Sequence, residues 1–170
     1  MVGKMIGALC ILLSCGGTGF YIAYKQLYEI KILEQWIRIL DRMEKEIRYQ
    51  LKSIPDVFRQ LSAEEKGNLG RMMQRVAIEL ENQVRPDVYT CICAVLSATD
   101  GIPSSVMHLI EQLGREMGRY DLDGQLQGIA RIRSIAEEKR TVLNRDKSKR
   151  IRGYQTLGIC AGAGLVILFI

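Results

Sequence analysis

Histidine, proline and aromatic residues are scarce in this 170-residue chain. It has one histidine, His108, and three prolines, and its aromatic residues make up only 6% of the total. A single histidine leaves no zinc or haem constellation available, so no metal centre is expected. No stretch of any length alternates apolar and polar residues, which argues against β-strands. The absences favour an all-α protein without a metal.

The five cysteines do not have the pattern of a disulfide framework. Cys10, Cys15 and Cys160 lie in apolar runs, and Cys91 and Cys93 are two residues apart on a predicted helix. Side chains at that spacing point about 200° apart and cannot clasp one metal ion. The phosphate-binding, dinucleotide-binding, hydrolase and zinc-protease motifs are also missing. We therefore predict a non-enzymatic protein with no cofactor.

Long runs without a charged residue lie near both ends of the chain. None occurs from Met5 to Tyr24 or from Gly153 to Ile170, runs of twenty and eighteen residues. A helix needs roughly 17–25 residues to cross the hydrocarbon core of a bilayer, so each run is long enough. The sequence predicts transmembrane helices at 1–24 and 153–170, which flank a soluble helical domain at 25–152.

The first apolar run has an alternative interpretation as a signal peptide. Lys4 precedes it, and the letters LLSC, ending at Cys15, loosely resemble a bacterial lipobox. The apolar stretch continues past Cys15 through Ile22 without an A-x-A-like cleavage site, which favours a retained helix. The alternative function is a membrane-tethered or lipoprotein helical binding domain that is anchored through Cys15.

The middle of the chain is predicted to be an antiparallel bundle of about six helices. From Lys25 to Lys52, apolar residues recur at three- and four-residue steps, which is typical of one long amphipathic helix. Shorter apolar segments follow, separated by turn and capping residues. Those separators are Ser53-Ile54-Pro55-Asp56, Gly67, Pro86, Asp100-Gly101-Ile102-Pro103 and Asp121, the expected N-cap of the last helix.

The net charge of +5 is concentrated in one segment. Between Lys25 and Glu138, sixteen basic residues face eighteen acidic ones, whereas the stretch after Glu138 is strongly basic and abuts the second apolar run. Such a cluster contacts anionic lipid headgroups and marks the cytoplasmic side of a membrane. Nucleic-acid binding is disfavoured because no aromatic residues are interleaved. The predicted membrane-surface cluster is Lys139, Arg140, Arg145, Lys147, Lys149, Arg150 and Arg152.

Glycines at four-residue spacing mark two further candidate surfaces. Gly158 and Gly162 share one face of the second apolar run, where small residues let membrane helices approach closely. This face suits either a homo-oligomer or packing against another protein. Gly114 and Gly118 share a face of a predicted soluble helix, where a close helix crossing is favoured over a binding site.

The segment around these glycines resembles a known family. Residues 113–121 are LGREMGRYD and are followed by Gln125, similar to the LG-x-x-LG-x-x-D-x-x-x-Q signature of the stage III sporulation protein AB family. Met117 stands where that family usually has leucine. The layout of the whole chain, with its basic segment before a glycine-rich terminal run, is also similar to the family.

The resemblance implies a role in endospore formation, in the mother-cell membrane around the forespore. It also implies a channel apparatus similar to type II secretion and type IV pilus systems, with this chain as a platform protein. The expected partners are a secretion-type ATPase, other channel proteins and membrane lipid. Asp121 is expected to be mainly a helix N-cap, and Gln125 either a buried polar contact or part of a partner-facing surface. The proposed partner or packing surface is Gly114, Gly118, Asp121 and Gln125.

Overall fold

A computed structural model of the chain describes residues 24–50, 52–117 and 121–145 in full, and otherwise only the extent of the two terminal helices. The described part contains six α-helices and no strand, so the predicted all-α fold with about six helices is confirmed. In chain order they are α1 (Val2–Gln50), α2 (Ile54–Glu64), α3 (Asn68–Glu81), α4 (Val88–Ser97), α5 (Ser104–Glu116) and α6 (Leu122–Phe169).

Acidic N-caps fix the starts of two helices. The Asp87 carboxylate accepts a hydrogen bond from the backbone N–H of Thr90 at 2.7 Å at the start of α4. Asp121 accepts one from the backbone N–H of Gly124 at 3.1 Å, one residue before α6 begins. Each bond satisfies an N–H that has no partner within the first turn of a helix. The predicted N-cap at Asp121 is therefore present.

The core is apolar and centres on α1, which contributes the fully buried Leu33, Trp36, Leu40 and Met43. Burying one such side chain stabilises a fold by about 1.5–3 kcal/mol. Ile78 on α3 is apolar, yet its residue surface is 49% exposed. It lies about 100° around α3 from the buried Ala77, so the helix turns it away from the core.

Hydrogen bonds between α1 and α2 show the relative direction of these two helices. The Gln60 amide donates to Glu46 at 2.9 Å near the end of α1. Further back along α1, Gln35 donates to Glu65 at 2.7 Å, just past the end of α2. Later residues of α2 therefore meet earlier residues of α1, and these two helices are antiparallel, as predicted for the bundle.

The chain divides into two compact units, one formed by Met1–Ile30 and Thr141–Ile170 and the other by Lys31–Arg140. All contacts described here belong to the second unit. Within the fully described ranges, no helix has both the length and the apolar character that crossing a bilayer requires. Apart from Tyr24, the predicted spans at 1–24 and 153–170 lie outside those ranges. The spans and the predicted domain boundaries stay predictions.

Candidate partner-binding site at the crossing of α4 and α5

Gly114 lies where α5 crosses α4 at close range. A β-carbon at this position would be 3.1 Å from Ile92 Cδ1 and 3.2 Å from Tyr89 Cα. Both distances are shorter than ordinary van der Waals contacts, so any side chain at position 114 would press on α4. Gly114 is buried. Its close contacts with α4 agree with the helix packing that the sequence predicts at this position.

Arg115 covers the exposed side of the same crossing. Its guanidinium lies 5.0 Å from the centroid of the Tyr89 ring, a cation–π distance. An N–H of Arg115 also donates to the Tyr89 hydroxyl at 3.1 Å. This hydrogen bond with Tyr89 raises the pKa of Arg115 above its ordinary value, and the residue stays cationic. The contact fixes a positive charge beside an aromatic ring.

A shallow groove of about 640 Å³ opens between the start of α4 and the end of α5. Among the described residues, its walls combine apolar surface with one cation, whereas the Asp87 carboxylate at its edge is occupied in capping α4. Such a groove suits a peptide segment that carries an apolar side chain and a carboxylate. The lining residues are Pro86, Asp87, Val88, Tyr89, Gly114, Arg115 and Met117.

Of the other predicted surface residues, Asp121 directly precedes α6 and Gln125 lies within its first turn. Asp121 caps the helix, and its carbonyl also accepts from the backbone N–H of Gln125 at 3.0 Å. The Gln125 residue is half-buried and has a further contact within the chain. Gly118 lies outside the described residues. The partner-facing role of this set stays a prediction.

Gly128 forms a close contact that was not predicted from the sequence. A β-carbon there would lie 2.9 Å from Glu116 Cβ, so α6 packs tightly on the end of α5. Arg131 reaches the same glutamate, with 3.4 Å between its guanidinium and the carboxylate. The four-residue spacing of Gly124 and Gly128 was the available signal, because small residues at that spacing share a helix face.

The remaining predicted residues divide between described and undescribed parts of the chain. Lys139 and Arg140 are half-buried, and Arg145 is exposed. Lys147, Lys149, Arg150 and Arg152 lie outside the described residues, as do Gly158, Gly162 and Cys15. In the part of the chain that the structure describes, no three histidine, cysteine or acidic side chains come together as metal ligands. Burial raises the pKa of the Cys91 thiol, which favours its neutral form.

The family model of stage III sporulation protein AB matches residues 4–170. The chain belongs to this family. Membership identifies it as a sporulation protein and confirms the resemblance carried by residues 113–125. The family is a structural component of sporulation rather than a known enzyme family. A search of the curated proteins found no match.

A solved structure of stage III sporulation protein AB (SpoIIIAB) supports the fold independently. Its TM-score with this chain is 0.64 at 15% sequence identity. The superposition covers 72% of this chain and 98% of the solved one. At this identity the likeness concerns the fold alone, and it agrees with the all-helical architecture of the family member described here.

Proposed function

We propose that this family member is a non-enzymatic platform protein of a secretion-like sporulation channel. It would couple a cytoplasmic ATPase to the membrane components of the channel in the mother-cell membrane around the forespore. The observation that carries the proposal is the family match over residues 4–170. An all-helical domain without a metal cluster among its described residues is compatible with work done through protein contacts.

The charge distribution supports an orientation with the helical domain in the cytoplasm. The segment Lys139–Arg152 has seven basic residues and one acidic residue and precedes an uncharged run of eighteen residues. Basic residues beside a membrane span remain on the cytoplasmic side. Contact with anionic headgroups contributes about 1 kcal/mol for each basic residue near the surface. The domain would then face the compartment in which an ATPase works.

The groove between α4 and α5 offers a specific test of ATPase coupling. We expect the full-length chain, tagged and kept in detergent, to retain the cognate ATPase during purification at low salt. Arg115→Glu should weaken that retention because it reverses the charge of the one cation among the described residues that line the groove. Arg71→Glu is the matched control, since Arg71 is exposed on α3 and absent from the groove lining.

Two results would contradict the ATPase proposal. The first is failure of the wild-type chain to retain a folded ATPase at low salt. The second is equal retention by the wild-type chain and by variants with reversed charges on every exposed face of the helical domain.

Thiol labelling in cells tests the orientation. A single cysteine introduced at the exposed Gln112, in a chain whose other cysteines are serine, should resist a membrane-impermeant maleimide until the cells are permeabilised. Labelling of intact cells would place the domain outside and overturn the cytoplasmic assignment. Mass spectrometry of the mature N-terminus completes the test, because a diacylated Cys15 would replace the platform topology with a lipoprotein.

A further inference from the structure

Three basic residues follow one another at seven-residue spacing along α1. Lys31, Arg38 and Lys45 are all exposed, and we call them the basic stripe. Seven residues are close to two helical turns, so neighbouring charges lie about 10.5 Å apart along the axis. The direction of the side chains drifts by only about 20° per heptad. The stripe therefore occupies one face of the helix.

The stripe has no ion pair among the described residues, whereas the bases beside it are paired. Arg42 contacts Glu64 at 2.5 Å, and Arg48 contacts Glu44 at 2.8 Å. Arg133 of α6 approaches Glu44 as well, at 3.3 Å. Glu64 and Glu44 are thus engaged with other cations of the bundle. The positive charge of the basic stripe remains available to another molecule.

A depression of about 600 Å³ lies beside the last residue of the stripe. Lys45 and Tyr49 line it, and the residue surface of Tyr49 is 78% exposed. A tyrosine this exposed offers an apolar ring face and a hydroxyl to a partner, a combination that is frequent at protein interfaces. One face of α1 therefore combines a line of cations that have no ion pair within the described ranges with an aromatic side chain at its end.

We propose that this face binds an acidic α-helix of another protein. Carboxylates spaced seven residues apart on the partner would each meet one residue of the basic stripe, and an apolar side chain would pack on Tyr49. Two helices with matched heptad spacing pack at a crossing angle of about +20°. The inference rests on the proposed function only in taking the partner to be a component of the same apparatus.

The spacing favours a helix over nucleic acid or a lipid surface. Each strand of a nucleic acid presents a phosphate about every 3.4 Å, so charges about 10.5 Å apart would leave most phosphates unmatched. A lipid surface recruits contiguous basic clusters, and the chain has one at Lys139–Arg152. The two-turn repeat of the basic stripe matches the repeat of a second helix.

Carbodiimide cross-linking tests the proposal, because it joins a carboxylate to an amine only when the two are in contact. The probe is a helical peptide with glutamate at every seventh position and leucine one turn beyond the last glutamate. With the full-length chain in detergent, we expect amide cross-links to Lys31 and Lys45 at least about tenfold more often than to Lys66. Lys66 is exposed but does not belong to the stripe.

A peptide of the same composition with the glutamates in scrambled order is the matched probe. It should cross-link to the basic stripe about tenfold less than the heptad peptide. Equal labelling of Lys66 and the stripe lysines, or equal labelling by the two peptides, would overturn the proposal.

Charge reversal provides a second readout in the same preparation. The triple change Lys31→Glu, Arg38→Glu and Lys45→Glu should weaken binding of the heptad peptide on the order of 10- to 100-fold, since each attractive pair becomes repulsive. A control variant with the same change in net charge should stay within about threefold of wild type. It carries Lys66→Glu, Arg71→Glu, Gln74→Glu and Gln112→Glu, all at exposed positions.

Two further arms separate this inference from its rivals. If the stripe variant keeps peptide binding but loses binding to phosphatidylglycerol vesicles, the stripe is a lipid contact and the proposal fails. If the wild-type chain retains the ATPase while neither peptide is preferred, the inference fails and the proposed function stands. If the heptad peptide is preferred but the wild-type chain does not retain the ATPase, the acidic-helix site stands and the coupling proposal fails.

Discussion

Two kinds of contact hold the helices together in different ways. The close glycine contacts between successive helices are called the joints, and the ion pairs on the exposed side of α1 are called the rim. At the joints, Gly70, Gly114 and Gly128 lie where a side chain would collide with the preceding helix or its end. Along the rim, α1 meets its neighbours through partly exposed ion pairs such as Arg133 with Asp41 at 2.7 Å. The joints therefore depend on shape, and the rim depends on charge.

This difference predicts unequal tolerance to substitution. Close-packed contacts leave no room for added atoms, so overpacking costs about 1–3 kcal/mol and occasionally more. Exposed ion pairs contribute a median of about 0–1 kcal/mol, because water already solvates both charges. Of the two kinds of contact, the glycines should therefore be the less tolerant of substitution, although none of them carries a functional group.

Gly70→Ala should have the largest effect, a loss of roughly 3 kcal/mol in the free energy of unfolding. A β-carbon at position 70 would overlap the carbonyl oxygen of Glu65, which is backbone and cannot rotate away. The start of α3 would have to shift away from the end of α2. Chemical unfolding of the full-length chain, followed by circular dichroism, measures the loss.

Gly67→Ala is the control for that prediction. Position 67 has open space around it but a backbone φ of +84°, which strains an L-residue by about 1–2 kcal/mol. We expect it to destabilise less than Gly70→Ala does. A Gly70→Ala protein as stable as wild type would contradict the close approach of α2 and α3.

Gly114→Leu should cost about 2 kcal/mol because the side chain must displace Ile92 and the backbone near Tyr89. Cys91 on α4 offers a local measurement. Its thiol is buried and its raised pKa keeps it neutral, so a maleimide reacts with it only when α4 opens. With Cys93 replaced by serine, we expect Gly114→Leu to speed labelling of Cys91 by at least about tenfold near pH 7.

The pH dependence of that labelling follows from the direction of the shift. A raised pKa lowers the thiolate fraction near neutral pH, so labelling of the folded chain should increase as the pH rises toward the thiol pKa. An unchanged rate of Cys91 labelling in Gly114→Leu would show that α5 does not pack closely on α4 at this position. Gly114→Ala is a graded control, because a gain in helix propensity of about 1 kcal/mol offsets its milder crowding.

Gly128→Ala should cost only about 1 kcal/mol, since the group it would crowd is a side chain. The added β-carbon would lie 2.9 Å from Glu116 Cβ. In a Glu116→Ala background the contacts at 3.1 Å with Cγ and 3.2 Å with Oε2 are removed, whereas the contact with Cβ remains, so only part of that cost should disappear. A double-mutant cycle on unfolding free energies measures this coupling. Additive effects of the two changes would mean that α5 and α6 are not in contact at this point.

Features set by neighbouring residues were predictable from the sequence. The all-α class followed from the periodicity, and the N-cap at Asp121 followed from side-chain chemistry within one turn. The signature at residues 113–121 also led to the family, which the match over residues 4–170 confirms. Each of these depends on short-range patterns that a linear reading contains.

Features set by the approach of distant segments were not predictable. Arg133 and Asp41 are 92 positions apart, and no local pattern pairs them. The sequence around Gly70 gives no local sign of a close contact, whereas the structure places this glycine against the end of α2. The groove beside Arg115 requires α4 and α5 to cross, so only its α5 wall coincides with the signature. Tertiary geometry determines all three.

The smallest effect is expected at the rim, from Arg133→Gln. The Arg133 guanidinium lies 2.7 Å from Asp41 and 3.3 Å from Glu44, and its hydrogen bond with Asp41 raises the pKa of the arginine, which therefore stays charged. Its side chain is 36% exposed, so solvent screening limits the loss to about 0.5–1 kcal/mol.

Because the Debye length falls from about 10 Å at 0.1 M salt to about 3 Å at 1 M, the difference in unfolding free energy between Arg133→Gln and wild type should shrink at high salt. Arg38→Gln, which removes an exposed cation of the basic stripe, should leave the unfolding free energy within about 0.5 kcal/mol of wild type at both salt concentrations. A salt-independent loss at Arg133 as large as that of Gly70→Ala would show that the rim is packed as tightly as the joints and would remove the distinction between them.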